Sequence, residues 1–234
     1  MVFLLSIVTL FMYSCGKETA KQEPKQETKT TTANDTVQPK KEISAAGKEV
    51  TLSAAEQKKL NIFFSNFSEA YLEPFTEGNI QDEELIKFGV LHNFKNNFKL
   101  FENMGNELKI KSDAISKSIE KYFGKTFSAH KSTKDYKYKG GYYYIPNADG
   151  EAYTFSQVAS VSDAGGDKFT ALINVYTASS GWTGDEHANP KTWGEDGEDY
   201  DGKPELTEKF KATFSKTTGS NGETVYKLID YIKQ

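Results

Sequence analysis

Apolar side chains recur at helical spacing through Leu60, Phe63, Phe64, Phe67 and Tyr71, so they share one face of a helix. Just upstream, Ser53-Ala54-Ala55-Glu56 has the form of a capping box, in which the serine oxygen accepts from the glutamate amide. Glu73-Pro74 closes the element, because proline disfavours helical geometry in the residue before it. A second helix is predicted from Asp82-Glu83-Glu84, acids that suit the positive end of a helix macrodipole. Its stripe runs Ile86, Val90, Phe94, Phe98 and Phe101, with Leu85, Phe88 and His92 beside it. So broad an apolar arc predicts burial. Leu108 and Ile110 suit a short strand. Ser112 is read as the cap of a third helix carrying Ile115, Ile119, Tyr122 and Phe123, with Gly124 as its stop.

From residue 135 the pattern changes period. Asp135 to Pro146 alternates around Gly140-Gly141, a two-residue hairpin turn. That turn sets Tyr138 opposite Tyr143 and Tyr136 opposite Ile145 on a core face. It sets Lys139 opposite Tyr142 and Lys137 opposite Tyr144 on a wet face, with lysines lying over rings. Two further hairpins are expected, Ala152 to Val161 with Phe169 to Thr177, and Lys209 to Lys216 with Glu223 to Ile232. Helices followed by an antiparallel meander define an α+β class. The expected architecture is three N-terminal helices packed on one curved antiparallel sheet. By analogy of element order, it is a nuclear transport factor two-like or cystatin-like cone.

The first residues follow another logic. Val2 to Met12 is apolar but shorter than the ~20 residues that span a bilayer as a helix. It has the length of the apolar region of a signal peptide. It ends in Met12-Tyr13-Ser14-Cys15-Gly16, which resembles the lipobox of bacterial lipoproteins, a small residue before cysteine and glycine after it. That resemblance implies cleavage before Cys15, acylation of its thiol and anchoring to a membrane. Met12 stands where leucine is usual, and no lysine or arginine precedes Cys15. The expectation is therefore an upstream start codon or a degenerate leader. The resemblance places the protein at the cell envelope: the outer membrane of a Gram-negative cell, otherwise the outer face of the cell membrane. Residues 1–14 are then the signal peptide, 15–47 the lipidated cysteine and a linker, and 48–234 one α+β domain.

Composition adjusts this picture in three places. From Gly16 to about Gly47 the chain is Lys, Glu, Gln, Thr and Pro, which offers too little apolar surface to offset its ordering entropy, and is expected to be a spacer. Cys15 is the single cysteine, so no internal disulfide can form. The net charge is −4 and every basic residue is lysine. An acidic chain without a basic face argues against nucleic acid as a partner.

Candidate chemistry concentrates between Ser179 and Pro204, a Gly/Trp/acid loop holding both tryptophans. Trp182 and Trp193, flanked by Asp185, Glu186, His187 and Asn189, could form a ligand platform for an envelope glycan or peptide. Alternatively, both rings pack the loop onto the sheet. Asp196, Glu198, Asp199 and Asp201 supply the hard oxygens that Ca²⁺ prefers, although their spacing is not that of an EF-hand; the other reading is a solvated acidic loop. His92 on an apolar helix face reads as a core histidine, or with Glu69 as an acid/base pair. No GxSxG elbow, HExxH or phosphate loop occurs.

Phe63 to Glu69, Tyr122-Phe123-Gly124, Gly141 to Pro146 and Asp149-Gly150-Glu151 resemble an uncharacterised domain of secreted and lipid-anchored bacterial proteins. That likeness carries no activity with it. The function expected is a membrane-anchored, non-catalytic binding module of the envelope. The alternative is an envelope hydrolase acting on glycan or peptide through loop carboxylates, marked by paired carboxylates in one cleft.

Overall fold

A computed structural model of the chain describes residues 47–147, 152–179, 181–193 and 202–234. Cys15, Asp196, Glu198, Asp199 and Asp201 lie outside the described residues. The lipid anchor and the calcium reading fall on them.

The elements in chain order are β1 (Lys48–Glu49), α1 (Ala54–Ser68), α2 (Asp82–Asn96), β2 (Glu102–Asn103), β3 (Glu107–Lys111), α3 (Ser112–Phe123), β4 (Lys137–Lys139), β5 (Tyr142–Pro146), β6 (Ala152–Gly165), β7 (Lys168–Ser179), β8 (Glu205–Thr218) and β9 (Thr224–Lys233). All strand pairs are antiparallel and form two sheets, β1-β6-β7-β8-β9 and β2-β3-β5-β4. The class is α+β.

Two expectations about arrangement are corrected. The helices do not all precede the strands, since β1 comes before α1 and β2–β3 separates α2 from α3. There are also two sheets rather than one. The reason lies in β5, which pairs along its length with β3 as Leu108↔Ile145 and Ile110↔Tyr143. That register buries all four apolar side chains on one face, which drives the pairing. The hairpin β4–β5 therefore joins β3 and not the meander.

Local signals behaved as chemistry dictates, with four exceptions. The first is that α1 ends at Ser68, before Glu73-Pro74, so Tyr71 leaves the shared helix face and is exposed. Ser53 Oγ accepts from the Glu56 amide at 3.2 Å, and Gly124 ends α3 in the left-handed region at φ 66°. Gly140 and Gly141, at φ 60° and 80°, turn the hairpin and pair Tyr138 with Tyr143. However, α2 stops at Asn96, and Phe98 and Phe101 belong to a 3₁₀ turn and its exit. Ser112 does not cap α3 but is its first residue. Lys111 still pairs with Tyr142 in the sheet, and the Ser112 amide donates to the Gly141 carbonyl. The lysine over the Tyr142 ring is Lys109, 4.7 Å from its centroid, brought there by β3 rather than by the hairpin partner.

One core joins the helices to both sheets. Phe63, Phe64 and Phe67 of α1 meet Phe214 and Tyr231 of the meander and Phe88, Tyr122 and Phe123 of α2 and α3. Gly89 permits α2 and α3 to approach closely, since a Cβ there would lie 2.4 Å from the Ile115 side chain.

Candidate functional site

The site follows from how α1 meets the edge of β6. On that edge, among the described residues, β6 pairs with β1 at Ser162 and Asp163, and the Val50 amide donates to the Val161 carbonyl at 2.9 Å. The next backbone groups down the strand would be orphaned, which is costly for buried amides. Three polar residues on the Phe-rich helix relieve them. Asn61 Oδ1 accepts from the Val158 amide at 2.9 Å, Gln57 Nε2 donates to the Val158 carbonyl at 2.8 Å, and Ser65 Oγ accepts from the Ser156 amide at 2.9 Å. Ser156 Oγ also donates to Ser68 Oγ at 3.0 Å. Four helical residues rise about 6 Å, and two strand residues about 6.7 Å. Helix and strand therefore stay in step, and the rung after Ser65 and Ser156 falls at Glu69 and Thr154.

There the ladder ends. The helix closes with the Leu72 amide donating to the Phe67 carbonyl at 3.1 Å and the Tyr71 amide to the Ser68 carbonyl at 3.0 Å. This wide turn needs a left-handed residue, usually glycine, and here it is Tyr71 at φ 48°. A non-glycine residue in that region costs on the order of 1 kcal/mol, and such residues gather at functional sites. Tyr71 is exposed, so burial of its ring does not offset the strain.

The third wall comes from the loop after β7. Trp182 and Trp193 pack on the outer face of the large sheet. Trp182 lies parallel to Phe155 at 5.5 Å, and Trp193 stands edge-on to Tyr176 at 4.9 Å. Gly184 lies against the Trp182 indole, where a Cβ would come within 2.5 Å. Trp193 Nε1 donates to the Asp185 carbonyl at 2.9 Å, and the Asp185 carboxylate accepts from the His187 amide at 2.8 Å. Gln157 Nε2 on the sheet's outer face donates to the Glu186 and Ala188 carbonyls at 2.6 and 2.9 Å. The loop is thereby held so that the Glu186 side chain reaches the β6 edge, where the Tyr153 hydroxyl donates to it and His187 Nε2 lies 3.4 Å away.

These walls enclose a cleft of about 300 Å³ lined by Ser65, Asn66, Glu69, Tyr71, Lys95, Asn96, Tyr153, Thr154 and Glu186, with Ile62 at one side. An adjoining hollow of about 430 Å³ shares Tyr71 and Thr154 and runs over Thr177, Thr207, Phe210 and Tyr231. The hydroxyls of Thr154 and Tyr231 are buried there, with no partner among the described residues. Burial pushes the Glu69 carboxyl up from its usual 4.5 to about 7. Asn96 Nδ2 opposes this by donating to Glu69 Oε2 at 3.1 Å. The Glu186 charge adds to the rise, and Lys95 reduces it.

The sequence-derived site is partly redistributed. Trp182 and Trp193 are only 8% and 7% exposed, so they present no open stacking face. The platform reading gives way to the packing one, because Phe155 and Tyr176 need cover on the outer sheet face. Asp185 and His187 hold the loop together, and Glu186 between them reaches the cleft. His92 is buried, stacked on Phe88 and edge-on to Tyr122, and burial lowers it to about 4. Asn96 stands between His92 and Glu69, 3.4 Å from Nδ1 of one and 3.1 Å from Oε2 of the other, so the two form no direct acid/base pair. His130 bridges Ser116 Oγ and Tyr143 Oη, while the Ser116 hydroxyl donates to the Phe127 carbonyl and is not free as a nucleophile. Among the described residues no cluster of three His, Cys, Asp or Glu is placed to hold a metal, and no helix is long and apolar enough to cross a membrane. Asn96, Tyr153 and Thr154 carried no distinguishing sequence signal, and Tyr71 was read only as the end of the apolar stripe of α1.

No protein-family model matches this chain, and comparison with curated proteins and with solved structures gave no match.

Proposed function

We propose that the protein is an envelope lipoprotein, acylated on Cys15, whose folded domain binds a polar envelope ligand in the cleft at the end of α1 without transforming it. The carrying observation is the conjunction in that cleft of a glutamate raised to about 7, a left-handed Tyr71 and a buried Thr154 hydroxyl that has no partner among the described residues. Each destabilises the free protein, and all three line one concave surface. A cost concentrated at one place is the usual mark of a retained site. The Lys, Glu, Gln and Thr stretch after Cys15 supplies the reach from an acylated terminus.

Two measurements test this reading. Metabolic labelling with a radioactive fatty acid should disappear in Cys15→Ala, and persistent label refutes the anchor. Purified cell-wall sacculi should co-sediment the full-length Cys15→Ala chain, and Asn96→Trp should abolish this, because Asn96 is exposed and the new ring fills the cleft. Unchanged sedimentation would remove the cleft from the function.

A second reading has one specific observation behind it. Glu69 and the loop carboxylate Glu186 line the same cleft, one raised by burial and the other hydrogen-bonded by a tyrosine. Carboxylates in unlike environments are how glycoside hydrolases divide proton donation from charge stabilisation. Release of reducing ends from sacculi, lost in both Glu69→Gln and Glu186→Gln, would favour hydrolysis over binding.

A further inference from the structure

The edge of β6 remains open at one rung. In an antiparallel pair, residues alternate between directing their peptide groups to the partner strand and away from it. Ser156 and Val158 direct theirs away from β7, to Ser65 and Asn61. Thr154 shares their parity and sits opposite Thr177 in the same register. Its N–H and C=O therefore face the cleft. Glu69, which occupies the matching helical position, is engaged with Asn96 instead. Thr154 is 93% buried, and its hydroxyl has no partner among the described residues. A buried strand edge whose peptide groups have no partner among the described residues is completed by another backbone, the recognition mode of strand addition.

The walls add charge. Glu69 and Glu186 face one another's field across the cleft, and among the described residues Lys95 is the single basic group in its lining. A cation entering there relieves the repulsion between the carboxylates and gives each a partner, whereas an anion would meet both.

We propose that the cleft binds an extended peptide bearing a cationic side chain, its backbone hydrogen-bonded to Thr154 on the open edge of β6 and its charge held by Glu69 and Glu186. This rests on the binding reading above and names the ligand class for the same cleft. A saccharide is the rival, since hydroxyls also line the adjoining hollow. It does not account for a strand edge left open in register, nor for the acidic walls.

The test is an amide and carboxyl NMR titration of the full-length Cys15→Ala chain with acetyl-Ala-Lys-Ala-amide. Three probes accompany it: the same peptide N-methylated at the lysine nitrogen, the same peptide with norleucine for lysine, and chitotriose. The expected result is that the parent peptide moves the Thr154 amide and the Glu69 carboxyl. N-methylation should weaken binding by about tenfold or more, the effect of one lost hydrogen bond in a dry site. Norleucine should weaken it several-fold. Equal affinity of the methylated and parent peptides would overturn strand addition. Equal affinity of norleucine and lysine would overturn the charge assignment. A Thr154 shift with chitotriose and none with the peptide, or no shift with any probe at millimolar concentration, would overturn the peptide altogether. If sacculi still require an open cleft in those cases, the binding reading survives and only the ligand class falls.

Discussion

Glu69→Gln should stabilise the protein at neutral pH and leave it nearly unchanged in acid. The carboxyl titrates at about 7 in the fold and at the usual 4.5 when unfolded. A raised carboxyl means that the folded state holds its proton longer. Below about 4.5 both states are protonated, and the group costs nothing. As pH rises from 4.5 towards 7, the unfolded chain ionises first and the folded state falls behind. Above 7 both are ionised, and the full cost of a buried carboxylate is present. At about 1.4 kcal/mol per pH unit, that cost is a little over 3 kcal/mol.

Glutamine removes the charge but keeps an oxygen to accept from Asn96 Nδ2, so the lost interactions are few. For a domain of this size, about 3 kcal/mol moves Tm by on the order of 5–10 °C. Thermal unfolding of both proteins at pH 4, 5, 6, 7 and 8 should give curves that coincide at the acid end and diverge through pH 6 and 7. A Glu69 carboxyl resonance titrating near 7 should accompany them. The reasoning is refuted if the difference between variant and parent is the same at every pH, or if glutamine is the less stable residue at pH 8.

Three other substitutions separate structural from functional roles. Trp193→Ala should cost about 3–5 kcal/mol, the range for emptying a buried aromatic site. It should also move the Glu69 titration downward, since Glu186 is then no longer held nearby; an unmoved Glu69 would show that the loop does not shape the cleft. Tyr71→Gly should stabilise by about 1 kcal/mol in urea unfolding, by relieving the left-handed strain of an exposed residue, and should weaken cleft binding; clear destabilisation would mean that the ring packs more than its exposure implies. Asn61→Leu should cost about 1–3 kcal/mol, because the Val158 amide loses its acceptor in a buried place. Hydrogen exchange at Val158 should then accelerate, and unchanged protection would refute the edge-capping role of α1.

What could be read from the sequence was local. Helical periodicity located α1 and α3, and Gly140-Gly141 set the register of β4 on β5, because a hairpin turn dictates pairing over a few residues. The joining of β5 to β3 depended on which distant apolar faces matched, and no local pattern encodes that choice. The end of α2 was overrun for a related reason. The Phe94, Phe98 and Phe101 spacing persists across the break, with ring centroids at 5.5 and 5.9 Å from Phe94, although the backbone has left the helix at Asn97. Spacing preserved contact but not conformation. The cleft itself had one available signal: Asn61, Ser65 and Ser68 interrupt a Phe-rich helix on its buried side. Polar residues at four- and three-residue steps can be read as a solvated stripe, and only the strand beside them shows them to be an edge cap.

The tryptophan loop makes the same point about function. Aromatic residues in a long acidic loop suggest a binding surface, and both proved to be buried anchors. Yet their burial is what makes the loop relevant to the cleft. Phe155 and Thr154 are neighbours on β6 with side chains on opposite faces. Cover on the outer face by Trp182 and Trp193 therefore fixes the loop beside the residue whose inner face and open edge line the cleft. From that anchorage Glu186 reaches over the edge at Tyr153 to the place where α1 runs out. One strand thus carries core on one face, the loop anchor on the other, and an edge capped by helix down to Ser156 and, among the described residues, unpaired at Thr154. The cleft lies where those three coverings stop short of one another, so substitutions in the buried anchor should be felt by a ligand that never touches it.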